Sequence, residues 1–179
     1  MMRLLLGLVL ATTTLGAPAA PPAEALQNLP NVAFPAPARI ASGRLQASDI
    51  PALQAAGVRE VIDLSADSET PGFDEAAALR KAGITYRNLP IHGARDLDAS
   101  NVARFNQLLA DAGDKLTLVH CASSNRVGAM MALRAATFGG QPAEAAVAEG
   151  RRWGLKSLEP AVRERLQQRP NTWSPAPRN

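Results

Sequence analysis

Apolar residues in this chain fall into short runs, and their period changes from run to run. Val58-Arg59-Glu60-Val61-Ile62-Asp63-Leu64 is rich in β-branched residues and predicts a strand. Ile84 to Leu89 predicts a second strand. Leu116-Thr117-Leu118-Val119-His120 predicts a third, apolar enough to be buried on both faces. Ile40 to Ser42 predicts a short strand leading into Gly43. Between these runs the apolar spacing becomes helical. Ser48 is placed to cap a helix carrying Ile50 and Leu53, which Gly57 closes. Phe73 to Ala82 predicts a helix ending at Gly83. Ser100 is placed to cap a helix bearing Val102, Phe105, Leu108 and Leu109, stopped by Gly113. Val127 to Phe138 holds a single charge, Arg134, and predicts a central helix. Two more helices are predicted, from Pro142 to about Trp153 and from about Leu158 to Gln168.

Strands alternating with glycine-terminated helices imply a parallel sheet with crossover helices. The expected fold is α/β, a three-layer α/β/α arrangement around a mostly parallel sheet of about four strands. Ligands of such sheets bind at the carboxyl ends of the strands. Cys121 stands at one of those ends. One domain is expected over residues 39–169. Arg3, the apolar run Leu4 to Leu10 and the small-residue site Ala17-Pro18-Ala19 predict a signal peptide over residues 1–19. Export, to a bacterial periplasm, is the matching expectation, with no stable membrane anchor after cleavage. Five prolines, Pro21, Pro22, Pro30, Pro35 and Pro37, mark residues 20–38, with Pro18 just before them, as a loose leader, and residues 170–179 predict a frayed tail.

Composition narrows the function. Aromatic residues make up only 4%, which argues against a stacking surface for nucleic acid. Seven basic and two acidic residues lie in 151–179, but Leu155, Leu158, Val162 and Leu166 sit beneath them at helical spacing. That pattern reads as the solvated face of a docked helix. A single cysteine excludes an internal disulfide framework and a multi-cysteine metal site. With only two histidines no metal centre is expected, and no cofactor.

The remaining chemistry gathers in His120-Cys121-Ala122-Ser123-Ser124-Asn125-Arg126-Val127-Gly128. A buried strand ends, a polar loop follows and a helix begins. Loop amides and a helix N-terminus both favour an anion at the loop centre, the thiolate of Cys121 included. Arg126 closes the loop with a planar fork suited to an oxyanion. The expected partner is therefore a phosphorylated or other oxyanion substrate.

His-Cys, a short loop, Arg and a glycine-containing helix resemble the signature of cysteine-dependent protein tyrosine and dual-specificity phosphatases. The body from about Ile40 to Gln168 more closely resembles the phosphatase-like domain of bacterial beta-lactamase-hydrolase-like proteins. Ser42-Gly43, Val61-Ile62-Asp63-Leu64, Gly72-Phe73, Leu89-Pro90 and Val119 to Gly128 carry this resemblance. It implies attack of Cys121 on phosphorus, with Arg126 and the amides of Ala122, Ser123, Ser124, Asn125, Val127 and Gly128 around the anion. It also implies His120 as a hydrogen-bonding neighbour of the thiolate. An aspartate on a mobile loop would be the general acid, here Asp96, with Asp98 as the second choice.

Three departures from the phosphatase pattern stand out. Four residues separate Cys121 from Arg126 where the pattern has five. Ser124 replaces a glycine, and of the loop residues Asn125 is the one suited to a left-handed backbone. Val127 replaces the Ser/Thr whose hydroxyl assists the second step. The shorter spacing resembles single-domain rhodaneses, in which a cysteine carries sulfur as a persulfide. Phosphoryl transfer, sulfur transfer and non-catalytic oxyanion binding all fit the residues. The two predicted helices after Phe138 favour the phosphatase architecture.

Overall fold

The structure is a computed structural model and describes residues 22–168. The expected signal peptide and the tail 170–179 lie outside the described residues. Five strands form one sheet: β1 (Ala33–Ala36), β2 (Arg39–Ser42), β3 (Glu60–Asp63), β4 (Thr85–Asn88) and β5 (Thr117–His120). Their order is β1-β2-β5-β3-β4. β2, β5, β3 and β4 run parallel, and β1 pairs antiparallel with β2. Among the described residues seven α-helices surround the sheet: α1 (Pro22–Leu26), α2 (Ile50–Ala55), α3 (Glu75–Lys81), α4 (Ala99–Ala112), α5 (Asn125–Thr137), α6 (Ala143–Arg152) and α7 (Glu159–Gln167). The expected three layers and mostly parallel sheet are present, with one strand more than expected. Among the described residues no helix is long and apolar enough to cross a membrane.

Strand alternation divides the core into two. Ala41, Ile62 and Val119 point to the face covered by α4, α5, α6 and α7, where Phe105, Met130, Val147, Trp153 and Val162 pack. Ile40, Val61 and Leu118 point to the opposite face and pack with Leu26, Leu53 and Leu79 of α1, α2 and α3. Both faces are buried, as the β5 run predicts. Each fully buried Leu, Ile or Phe contributes about 1.5–3 kcal/mol by leaving water. Such a core holds the sheet without a disulfide.

The segment 20–38 is not a loose leader over its described part. Leu26 and Leu29 are buried in the α1–α3 core. β1 closes the sheet edge, and a backbone bond from Gly43 to the Pro30 carbonyl ties the segment to the start of the Cys121 region. Pro35 fits an edge strand, where a missing N–H costs no ladder bond. The cap of α4 also differs from expectation. Asp98, not Ser100, occupies the N-cap and accepts from the Asn101 amide at 2.8 Å.

Candidate active site

β5 delivers Cys121 to the carboxyl edge of the sheet, and α5 begins four residues later. The thiol continues the alternation of Val119 and is buried in the α4–α7 face. Among the described residues, the N–H groups of Ala122 and Ser123 donate to no backbone carbonyl. The first-turn amides of α5 are open by construction of a helix. The loop is pinned from outside by Arg44, whose amide donates to the Ala122 carbonyl at 3.3 Å, and by the pairing of Gly43 with Ser123.

Ser124 takes the left-handed conformation, φ 66°, that glycine holds in the phosphatase pattern. Asn125, the residue expected to supply that conformation, is helical instead. Two contacts offset the cost at Ser124. Its hydroxyl donates to the Trp153 carbonyl at 2.9 Å, and Gly154 leaves room for its Cβ. The Asn125 side chain accepts from the amides of Lys156 and Leu158 and donates to Ser157 Oγ. Both side chains therefore lock the loop to the segment 153–158. Any contact of theirs with an anion is through the backbone. Val127 and Gly128 are buried in the first turn of α5, and the Gly128 amide donates to the Ser124 carbonyl at 2.9 Å, so, contrary to expectation, it is not open to an anion.

Arg126 is the best-anchored side chain here. Its Nη1 donates to Glu69 Oε1 at 2.7 Å, to the Ile91 carbonyl at 2.8 Å and to the Leu64 carbonyl at 3.3 Å. Its Nη2 donates to Glu69 Oε2 at 2.7 Å. The Nε–H and the second Nη2–H have no acceptor among the described residues. That side-on edge is the one matched to a second oxyanion. Arg126 is held above its ordinary pKa, first by the hydrogen bond to Glu69 and further by the neighbouring Cys121 sulfur. Glu69 is the functional residue that sequence reasoning missed. It lies in a short turn with no pattern of its own, and only the fold brings it to Arg126.

The Arg126 guanidinium holds the Glu69 carboxyl down at about 2, from an ordinary 4.5. A depressed carboxylate stabilises the fold above its unfolded pKa and loses that contribution as pH falls through the folded one. With screening at a partly exposed pair, the contribution is on the order of 1–2 kcal/mol. Glu69→Gln is therefore expected to be less stable than wild type at neutral pH. The difference should shrink between pH 4.5 and about 2. Urea unfolding at several pH values measures this.

His120 does not sit where the resemblance implies. Its ring follows Leu118 to the α1–α3 face, opposite Cys121, and its Nε2 lies 2.8 Å from Glu75 Oε1 and 3.6 Å from Asp63 Oδ1. It supports the loop through the backbone only. Tyr86 donates its hydroxyl to Asp63 Oδ2 at 3.0 Å, and burial followed by the Asp63 charge pushes the phenol far above its usual pKa.

The loop after β4 reaches the site through Ile91, whose carbonyl accepts from Arg126. One residue on, the His92 amide and Nδ1 both contact Asp96 Oδ2, at 2.7 and 2.8 Å. These bonds, the amide first, hold the Asp96 carboxyl below its ordinary pKa. Asp98 is occupied as the α4 cap and leaves Asp96 as the candidate acid. A cleft of about 440 Å³ opens beside the loop, lined by Arg44, Gln46, Glu69, Thr70 and Phe73 among others.

A buried cysteine at a strand end, an anchored arginine with one free edge and a helix N-terminus form an oxyanion cradle. The family model for PTP-SAK, a Swiss Army Knife protein described as a DSP-PTPase phosphatase domain, matches residues 31–172. The chain belongs to this family. The match begins inside the segment expected to be a loose leader, consistent with β1 being part of the domain. A DUF442 protein of Shewanella putrefaciens CN-32, described as a "putative phosphatase", is 25% identical, with a TM-score of 0.65 over 82% of this chain and 97% of that one. The Tk-PTP structure in its active form is 21% identical, with a TM-score of 0.58 over 78% of this chain and 98% of that one. The P. aeruginosa TpbA complex with pTyr is 22% identical, with a TM-score of 0.57 over 76% and 90%. No curated protein sequence matches. This PTP-SAK protein is thus a phosphatase of the tyrosine and dual-specificity type, and its five-stranded sheet is the fold those structures share.

Proposed function

We propose that the protein hydrolyses phosphate monoesters through a cysteinyl-phosphate on Cys121. The Cys121 thiolate attacks phosphorus and the bond to the leaving oxygen breaks. Asp96 gives its proton to that oxygen. Water then attacks phosphorus, Asp96 takes the water's proton, and the P–S bond breaks to return the thiolate. The loop amides and the free edge of Arg126 hold the equatorial oxygens as charge develops. The observation that carries this reading is the division of labour at Arg126. Glu69 and two carbonyls fix one side of the guanidinium, which leaves the other for the substrate.

Asp96 must hold a proton to act. An entering phosphate dianion raises a nearby carboxyl by like-charge repulsion, against the pull of His92. Asp96→Asn is expected to slow a poor leaving group, such as an alkyl phosphate, by about a hundredfold. A nitrophenyl phosphate, whose leaving oxygen needs no proton, should be affected far less. Equal losses on both substrates would remove Asp96 from the acid role.

The four-residue loop keeps sulfur transfer as the competing chemistry. Phosphate release from an aryl phosphate, without thiocyanate formation from thiosulfate and cyanide, is the expected outcome. The phosphotyrosine held by the Pseudomonas structure supports an aryl phosphate as the probe. Thiocyanate formation without phosphate release would replace this reading with the persulfide one. Phosphate binding with neither reaction would reduce it to a binding module. The apolar run Leu4 to Leu10 supports export as part of the same reading. A mature N-terminus near Ala20, found by N-terminal sequencing, is the expected result.

A further inference from the structure

Asp63 and His120 are register partners at the carboxyl ends of neighbouring parallel strands. Both side chains turn to the α1–α3 face, away from Cys121. Glu75, the first residue of α3, descends onto them. One ligand atom from each of the three lies within 4.8 Å of the others, and all three residues are buried. The donors are incompletely used. Glu75 Oε1 and both nitrogens of His120 are buried without a hydrogen-bond partner among the described residues, despite the 2.8 Å approach of Nε2 to Oε1. Such orphaned polar atoms are costly in a folded core. Charge is also unbalanced. Even a protonated imidazole would leave one of the two carboxylate charges uncompensated.

The surroundings suit a cation. A second cavity, of about 260 Å³, reaches Asp63 and Glu75 from the surface, with Asp67 and Asp74 also on its wall. Among the described residues four carboxylates and no basic residue line it. The Asp63 carboxylate is held in place: the Ser65 amide donates to its Oδ1 at 2.7 Å and Tyr86 donates to its Oδ2 at 3.0 Å. Ligands oriented by such outer hydrogen bonds are the usual construction of a metal site.

We propose that Asp63, Glu75 and His120 Nε2 bind one divalent transition-metal ion of the zinc class. One imidazole with two carboxylates favours zinc, cobalt or manganese over magnesium, which prefers oxygen alone. Two carboxylates, a neutral imidazole and a divalent ion sum to zero charge. The ion would join β3, β5 and α3 directly beneath the Cys121 loop. The count of two histidines, which argued against a metal centre, overlooked that the sheet brings one of them beside two acids.

The test is titration of the metal-free full chain with Co²⁺ and Zn²⁺. One Co²⁺ per chain with visible ligand-field absorption, displaced by Zn²⁺, and a rise in Tm with Zn²⁺ are expected. Cys121→Ser should retain all of this and show no sulfur-to-cobalt charge-transfer band. Asp63→Asn and Glu75→Gln should lose it. Because either variant can unfold, Tyr86→Phe serves as the gentler one, with affinity expected to fall about tenfold. In the wild type, Mn²⁺ should broaden the amide signals of Asp63, Glu75 and His120 first. Absence of stoichiometric binding would overturn the proposal. Binding lost in Cys121→Ser, or unchanged in Tyr86→Phe with Mn²⁺ broadening centred elsewhere, would do the same.

Discussion

Cys121→Ser is expected to lower phosphate release from an aryl phosphate by about ten-thousandfold or more, because the hydroxyl cannot replace the thiolate as nucleophile. Phosphate binding should persist, since the amides and Arg126 are untouched. Arg126→Ala is expected to cost about a hundredfold to a thousandfold in kcat/KM, the range for one preorganised charge donor. It also removes the Arg126 donor from Glu69 Oε2 and the Ile91 carbonyl, and one of two donors from Glu69 Oε1 and the Leu64 carbonyl, so lost stability must be separated from lost catalysis. Arg126→Lys makes that separation. It keeps the charge but not the two-edged fork, and it should recover stability more than turnover. Steady-state kinetics beside thermal unfolding of the three variants reads both effects.

The largest stability effect is expected at Gly128. Here α5 crosses α6 and the segment after it so closely that an added Cβ would overlap the Leu155 amide and stand 2.6 Å from the Gly150 carbonyl and Leu155 Cα. These are backbone atoms, which cannot swing aside as a side-chain end can. Gly150 faces the same crossing, where a Cβ would meet the Gly128 carbonyl at 2.7 Å. Gly128→Ala is therefore expected to cost about 3 kcal/mol or more, at or above the upper end for overpacked cores, although alanine is the better helix former. Activity should fall with it. Leu155 neighbours the Trp153 carbonyl and Lys156 amide that hold Ser124 and Asn125. Denaturant unfolding of Gly128→Ala against an exposed helical control, such as Arg104→Ala in α4, checks the prediction.

The centre of the sheet was legible because β3 and β5 are buried on both faces. Val61-Ile62 and Leu118-Val119 each send one side chain to each core, so short length and β-branched content, not period, mark these runs as strands. Cys121 and Arg126 were legible because they lie five positions apart in one strand–loop–helix segment. β1 was not: Ala33–Ala36 is an edge strand containing Pro35, so its sequence resembles linker more than strand. Glu69 and Asp63–Glu75–His120 were not legible either. They meet only through register and crossover, which a linear pattern does not encode. His120 shows the same limit. Its neighbour Cys121 points to the other face, so adjacency in sequence placed it on the wrong side of the sheet. At Ser124 the backbone demand of the loop was legible but its bearer was not, because the bond to Trp153 that offsets it comes from a segment 29 residues away.

The central claim is that Cys121 carries a phosphoryl group. Val127 stands where the phosphatase pattern has a hydroxyl that assists release of the thiolate, so the second step should be the slower one. Rapid acid quench during turnover of an aryl phosphate, followed by peptide mass analysis, tests this directly. The account predicts a phosphoryl adduct on the peptide containing Cys121, formed in a burst and absent in Cys121→Ser. An unmodified Cys121 peptide during active turnover, or a sulfur adduct formed from thiosulfate in its place, would contradict it.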